Sequence, residues 1–295
     1  MRVNPNPYPD LLAAVAQTQQ QINTDEQQIA SGQSVNVPSD NPAAAATLVQ
    51  DADQTSQVDQ FQRSIGSVQG EMQTADSALN SVTTALQQAI SLGVEGANGT
   101  MNAADRAAVL TQVKGIQSQL LSLANLAYQG NYVFAGTANQ TAPYVLDSSS
   151  PSGVTYQGNS GVNNVSLGNH FSLQTNLPGS QLFSASGTDM FQSIQDLING
   201  LESDTGIGTA VTEVGNAMNS VDTQGVFYGN ALNQLNSQQT YLSSETTQLA
   251  QQQNTVDGAN LPLVISNLTT AETSVQATLA AIGQTAHTNL FSYLK

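Results

Sequence analysis

The side chains that could do chemistry are few, and their spacing says what each can be. The 295 residues hold no cysteine and only two histidines, His170 and His287. Zero cysteines exclude disulfides, thiolate metal sites and cysteine nucleophiles. Neither histidine belongs to an HxxxH or HExxH pattern, the pairing a helix-borne zinc site requires, so both read as surface or capping residues. Asp51, Asp53 and Asp59 faintly follow the spacing of a calcium loop. The central glycine that bends such a loop is missing and the register is helical, so they read as a solvated helix face. Gly206-Ile207-Gly208 lacks a third glycine and a preceding strand, and reads as a turn joining helices rather than a phosphate loop. Asp196, Glu202 and Asp204 are the remaining general acid and base candidates, but they follow an exposed helix face. The sequons at Asn98, Asn139, Asn164 and Asn267 are what a chain rich in Asn and Thr produces by composition. No catalytic residue, cofactor or metal ligand is expected, and no enzyme.

Charge restricts the partners further. Twenty-one acidic residues against five basic ones, Arg2, Arg63, Arg106, Lys114 and Lys295, give a formal net charge of −16. Binding nucleic acid takes several clustered cations to displace counterions, which excludes it as a main partner. The same sign disfavours an anionic membrane surface, and no apolar run approaches the roughly 18 residues of a membrane-spanning helix. The N-terminus, with Arg2, Pro5, Pro7, Pro9 and Asp10, lacks the apolar stretch of a cleaved secretory signal. Export by a route that reads no such signal, or a cytoplasmic location, is the expectation. Charged residues at 9% and apolar residues at 39% leave a polar, Gln-, Asn-, Ser- and Thr-rich chain, suited to an elongated shape with thin cores.

The elements that would carry these residues are mostly helices. The first is expected from Asp10 to about Ser31, stopped by Gly32. Val15, Ile22 and Ile29 recur every seven residues, while the companion positions Leu12, Gln19 and Glu26 are mixed, so one side of the seam is apolar and the other is not. Asn41-Pro42 opens a second helix. From Val58 through Phe61, Ile65, Val68, Met72, Ala75, Leu79, Val82 and Leu86 to Ala89 the spacing alternates three and four, a long coiled-coil-like helix expected to break in Gly93–Gly99. Asn102 caps a third helix bearing Val109, Val113, Ile116, Leu120 and Leu123. Asn125, Gly130 and Gly136 are expected to shape the exit from it, with Gly130 as a left-handed residue just past the helix end. Short strands follow at 132–134, 154–156, 165–167 and 171–173, making 137–182 a β-rich insertion. Helix returns with Phe191, Ile194, Leu197, Ile198 and Leu201. Tyr228, Leu235, Leu242 and Leu249 are then spaced by sevens, and beyond Pro262 a four-three seam runs through Leu261, Ile265, Leu268, Glu272, Val275, Leu279 and Ile282.

The half-polar seams at the two ends suit contacts between chains better than a closed monomer. A heptad with one anchoring side chain gains about 1.5–3 kcal/mol from burial, against about 1–2 kcal/mol for ordering each backbone residue. The expected assembly residues are therefore Val15, Ile22, Ile29, Ile265, Leu268, Val275, Leu279 and Ile282. Residues 1–40 and 258–295 are expected to fold only when neighbouring copies supply the missing apolar surface.

Ile29-Ala30-Ser31-Gly32 and Pro38-Ser39-Asp40-Asn41-Pro42-Ala43-Ala44 resemble the N-terminal region of the bacterial flagellin family. The likeness continues in order through Asn98-Gly99-Thr100, Ala104-Asp105-Arg106, Ala124-Asn125 and Gly130-Asn131-Tyr132-Val133-Phe134-Ala135-Gly136-Thr137. It goes on through Pro143-Tyr144 and Tyr156-Gln157-Gly158 to Leu232-Asn233 and Gln276–Ala281. The Gly130–Thr137 stretch is its most specific part, and it is similar to the subgroup at the junction of hook and filament. Asp40-Asn41-Pro42 stands where the family usually has Asp-Asp-Pro, and Ala231 and Gln234 where it has basic residues. What the resemblance implies is a mainly α, flagellin-like fold. Its terminal coiled-coil region would be 1–40 with 258–295, its inner helical domain 41–136 with 183–257, and its outer β-rich insertion 137–182. It also implies a structural part of the flagellum, exported unfolded through the flagellar type III apparatus with an export chaperone. Its partners would be hook-associated protein 1, flagellin and copies of itself. The alternatives are a filament subunit, or a secreted adhesin that binds through the insertion.

Overall fold

The computed structural model describes residues 8–185 and 187–291. Its helices are α1 (Tyr8–Ser31), α2 (Pro42–Gly96), α3 (Ala103–Ala124), α4 (Gly179–Leu182), α5 (Met190–Ser203), α6 (Ile207–Asp257) and α7 (Leu261–Phe291). Eight short strands form four separate antiparallel hairpins: β1 (Ala127–Tyr128) with β2 (Asn131–Tyr132), β3 (Tyr144–Leu146) with β4 (Val154–Tyr156), β5 (Asn164–Gly168) with β6 (Phe171–Gln174), and β7 (Ser184–Ala185) with β8 (Thr188–Asp189). The chain is mainly helical, with long helices at both ends and the strands between. No described helix is long and apolar enough to cross a membrane.

Two compact units emerge, Met1–Gln57 with Ser244–Lys295, and Val58–Ser243. In the second, the long seam of α2 is buried from Val58 through Ile65, Val68, Met72, Ala75, Leu79, Val82 and Leu86 to Ala89. α2 ends at Gly96, inside the expected Gly93–Gly99 break, and Gly93 and Gly96 do more than mark its end. They are packing glycines: a Cβ at Gly93 would strike Val211 and Leu197, and one at Gly96 would strike Leu201. Close approach of α2 to α5 and α6 thus outweighs the entropy that makes glycine a breaker. Asn102 caps α3 by accepting from the Asp105 amide at 2.9 Å, and Val109, Val113, Ile116 and Leu120 are buried.

An aromatic core ties the strand region to the helices. Phe134 and Phe183 meet edge to face at 5.2 Å, and Tyr144 lies 4.9 Å from Phe191 of α5. Tyr228 of α6 accepts from the Leu177 amide, and Gln238 donates to the Leu167 carbonyl at 3.0 Å. The extended stretch expected at 132–134 is a strand only at its first residue, since Val133, Phe134 and Ala135 turn inward and are buried.

Candidate assembly site

The terminal unit is built on α1 and α7, which pack along each other. Their relative direction is set at one end. Gly32, with φ of 72°, closes α1 in the left-handed conformation that glycine adopts at no cost, and the chain beyond it pairs with the turn before α7. Gln33 bridges Gly258 antiparallel, Ala259 donates to the Gly32 carbonyl, and the buried Asp257 carboxylate accepts from the Val35 amide at 2.8 Å. The two helices therefore run antiparallel. Pro42 is the first residue of α2, behind Asn41, whose side chain accepts from the Ala44 amide.

In α1 the line turned toward the pair is Leu11, Val15, Thr18, Ile22, Asp25 and Ile29, with Ile22 and Asp25 buried and the others half-buried or nearly so. In α7 the corresponding line is Val264, Leu268, Ala271, Val275, Thr278 and Ile282. Of the expected assembly residues, Val15, Ile22, Ile29, Leu268, Val275 and Ile282 are thus spent within the chain, each terminal helix finding its first partner in the other. Ile265 and Leu279 are not part of that seam, and both are exposed. The expected α7 seam joins residues of two lines, with Leu268, Val275 and Ile282 on the line turned toward α1 and Leu261, Ile265, Glu272 and Leu279 beside it.

Two buried carboxylates in this unit escape a periodicity analysis, which scores apolar positions only. Asp25 accepts from Gln21 at 2.9 Å and Asp51 from Gln252 at 2.8 Å, each through Oδ1. The Oδ2 of each is buried with no hydrogen-bond partner among the described residues. Asp51 is therefore not on a solvated face as its spacing with Asp53 and Asp59 had suggested.

The exit from α3 is held by Asn125, its C-cap. Its side chain donates to the Tyr144 carbonyl at 2.7 Å and accepts from the Tyr144 amide at 2.8 Å, the pairing a neighbouring strand would supply. Gly130 is not the residue after the helix end. It follows Gln129 in the two-residue turn between β1 and β2, with φ of 49° and 85° at the two positions, the left-handed pair that a tight hairpin needs. Gly136, with φ of 71°, lies where a Cβ would collide with the Asn159 carbonyl. Burial pushes the Tyr144 and Tyr228 hydroxyls up and raises the Glu71 carboxyl. Hydrogen bonds from Ser149 and Thr155 hold the Asp147 carboxyl down at about 2.

The side chains with chemical capacity stay dispersed. His170 is exposed in the β5–β6 turn; the side chain of His287 lies outside the described residues. Glu202 pairs with Lys114 at 2.6 Å and Asp204 with Arg106 at 3.0 Å, while Asp196 accepts from Gln192. Gly206, with φ of 71°, turns the chain from α5 into α6. No group of three His, Asp or Glu among the described residues is placed to hold a metal ion.

The fold of long helices with intervening hairpins is similar to that of solved flagellar hook-associated proteins. Residues 6–139 match the bacterial flagellin N-terminal helical region. Over 119 residues the chain is 36% identical to flagellar hook-associated protein 3 of Escherichia coli strain K12, covering 40% of this chain and 38% of the relative. The Salmonella typhimurium hook-associated protein 3 is 35% identical over the same length. The match thus spans 38% of the length of these curated relatives. The flagellar junction protein FlgL from Legionella pneumophila shares the fold at a TM-score of 0.61 and 13% identity, over 71% of this chain and 99% of that one.

Proposed function

We propose that the chain is a non-enzymatic structural component of the bacterial flagellum, an adaptor that joins the hook to the flagellin filament. The observation that carries this reading is the 36% identity over 119 residues to hook-associated protein 3, beside the match of residues 6–139 to the flagellin N-terminal helical region. The partners in this reading are hook-associated protein 1 on the hook side, flagellin on the filament side, and further copies of the chain in the same layer of the axis. The site of action is outside the cell. The route there is the flagellar type III apparatus, served by an export chaperone. The terminal pair α1 and α7 is the working surface, and the residues 137–182 face outward.

Pelleting of the purified chain with hook-associated protein 1, and separately with flagellin, tests this. The full chain should bring down hook-associated protein 1 without polymerising by itself, and chains lacking 1–40 or 265–295 should not. Long filaments from the chain alone would make it a filament subunit instead. Unimpaired binding by both truncated chains would show that the terminal helices do not make the interface.

A further inference from the structure

An Asn or Asp followed by glycine can react with its own main chain, because the glycine nitrogen, with no Cβ beside it, reaches the side-chain carbonyl carbon before it. The chain has three such pairs, Asn98-Gly99, Asn199-Gly200 and Asp257-Gly258. The fold closes two of them. Gly200 is buried inside α5, where a Cβ would stand 3.1 Å from the Thr205 carbonyl, and Asn199 Oδ1 accepts from Gln195 at 3.1 Å. An amide in a helix interior is committed to the carbonyl four residues back, so the Gly200 nitrogen is held away from Asn199. Asp257 is buried with its carboxylate on the Val35 amide, and the Gly258 amide donates to the Asn254 carbonyl at 2.9 Å. Asn98-Gly99 is open. It lies between α2 and α3, and residues 97–100 are all exposed. Among the described residues the Gly99 amide donates to nothing, and a Cβ at Gly99 would meet nothing within 4 Å. Asn98 Oδ1 accepts from the Thr100 amide at 3.2 Å and from the Thr100 hydroxyl at 2.9 Å. That turn folds the side-chain carbonyl back beside the main chain and leaves Nδ2 without a partner among the described residues.

We infer that Asn98 is a site of spontaneous covalent modification, converted in the folded chain to aspartate and isoaspartate, while Asn199 is spared. The Gly99 nitrogen, losing its proton to hydroxide, bonds to Asn98 Cγ, and the Cγ–Nδ2 bond breaks to release ammonia. Water then opens the cyclic imide. Attack at Cγ gives aspartate, and attack at the Asn98 main-chain carbonyl carbon gives isoaspartate, with the main chain now running through the side chain. Either product adds a negative charge to a turn flanked by Glu95 and Asp105. The second also takes out of the main chain the Asn98 carbonyl that accepts from the Met101 amide at 2.9 Å. Isoaspartate therefore loosens the entry to α3, just ahead of its Asn102 cap.

The full chain is aged in mildly alkaline buffer, and its proteolytic fragments are read by mass spectrometry for a side-chain amide replaced by a carboxyl, with aspartate and isoaspartate separated by chromatography. Asn98 should be converted at least about tenfold faster than Asn199, because a site closed by the fold reacts only when that part opens. In urea the difference should shrink to about threefold or less, since both are then unfolded Asn-Gly pairs. Gly99→Ala places its methyl in open space on a backbone with no positive φ, so it should keep the helical circular dichroism. The same variant should slow conversion of Asn98 at least about tenfold, because the new Cβ crowds the attacking nitrogen. An Asn98 that stays intact in the aged chain, or one converted no faster than Asn199, would overturn the inference. So would a difference that survives in urea, which would put its cause in the sequence rather than the fold, or an alanine variant that reacts at the parent rate.

Discussion

Asn125 does the work of a strand with one side chain. Because its amide both donates to and accepts from the Tyr144 backbone, the first residue of β3 is paired on that side before β4 arrives. Tyr144 is itself buried and in ring contact with Tyr156, Phe183 and Phe191, so this one amide fixes where the aromatic core begins. Replacing it leaves a donor and an acceptor of a buried residue without partners. Asn125→Ala should therefore cost about 2–4 kcal/mol, read from the urea midpoint at unchanged slope. Asn125→Asp should recover little, since a carboxylate can accept from the Tyr144 amide but offers nothing to its carbonyl. A variant within about 0.5 kcal/mol of the parent chain would mean the hairpin positions Tyr144 by itself.

At the scale of the element, α7 shows what hydrophobic periodicity can and cannot decide. The helix carries apolar residues on two adjacent lines, one through Val264, Leu268, Ala271 and Val275, the other through Leu261, Ile265 and Leu279. Periodicity establishes that α7 is a helix with apolar surface to bury, and says nothing about which line meets α1. That choice is made by the clamp at its start, where Asp257 and Gly258 seize the chain after Gly32. Similar reasons explain the other differences. Gly93 and Gly96 mark the end of α2, but their packing role shows only when Leu197, Leu201 and Val211 are seen against them, and Gly130 is a helix stop until β1 and β2 are seen on either side. The α2 seam, by contrast, was readable residue by residue, because it has a single apolar line. The two lines of α7 also make opposite predictions for mutants. Ile22→Ala, on the buried side of the pair, should destabilise the terminal unit by about 2–5 kcal/mol in thermal or urea unfolding. Leu279→Ala, on the open side, should change the isolated chain by no more than about 0.5 kcal/mol yet weaken partner pelleting. Equal destabilisation by the two would place Leu279 inside the fold.

Across the whole molecule the two units differ in what holds them. The unit around α2 seals Phe134, Phe183, Phe191, Tyr228 and a long row of aliphatic side chains away from water, whereas the terminal unit buries Ile22, Leu249 and Val264 with the smaller Ala44 and Ala271. That thinner core also encloses Asp25 and Asp51, each with one carboxylate oxygen unpartnered, which opposes burial. Opening of the terminal unit should therefore need less free energy than unfolding of the other, and amide exchange separates the two events. In the chain alone, amides at Ile22, Ile29, Leu268 and Val275 should exchange through a low-energy opening. Those at Leu86, Leu120 and Leu235 should exchange only with global unfolding. Adding a partner that binds α1 and α7 should slow the terminal set and leave the inner set unchanged, since binding raises the cost of opening only where the bound surface is lost. Equal protection of both sets in the free chain would mean that α1 and α7 are stable without a partner. Assembly would then be the docking of finished surfaces rather than the completion of a core.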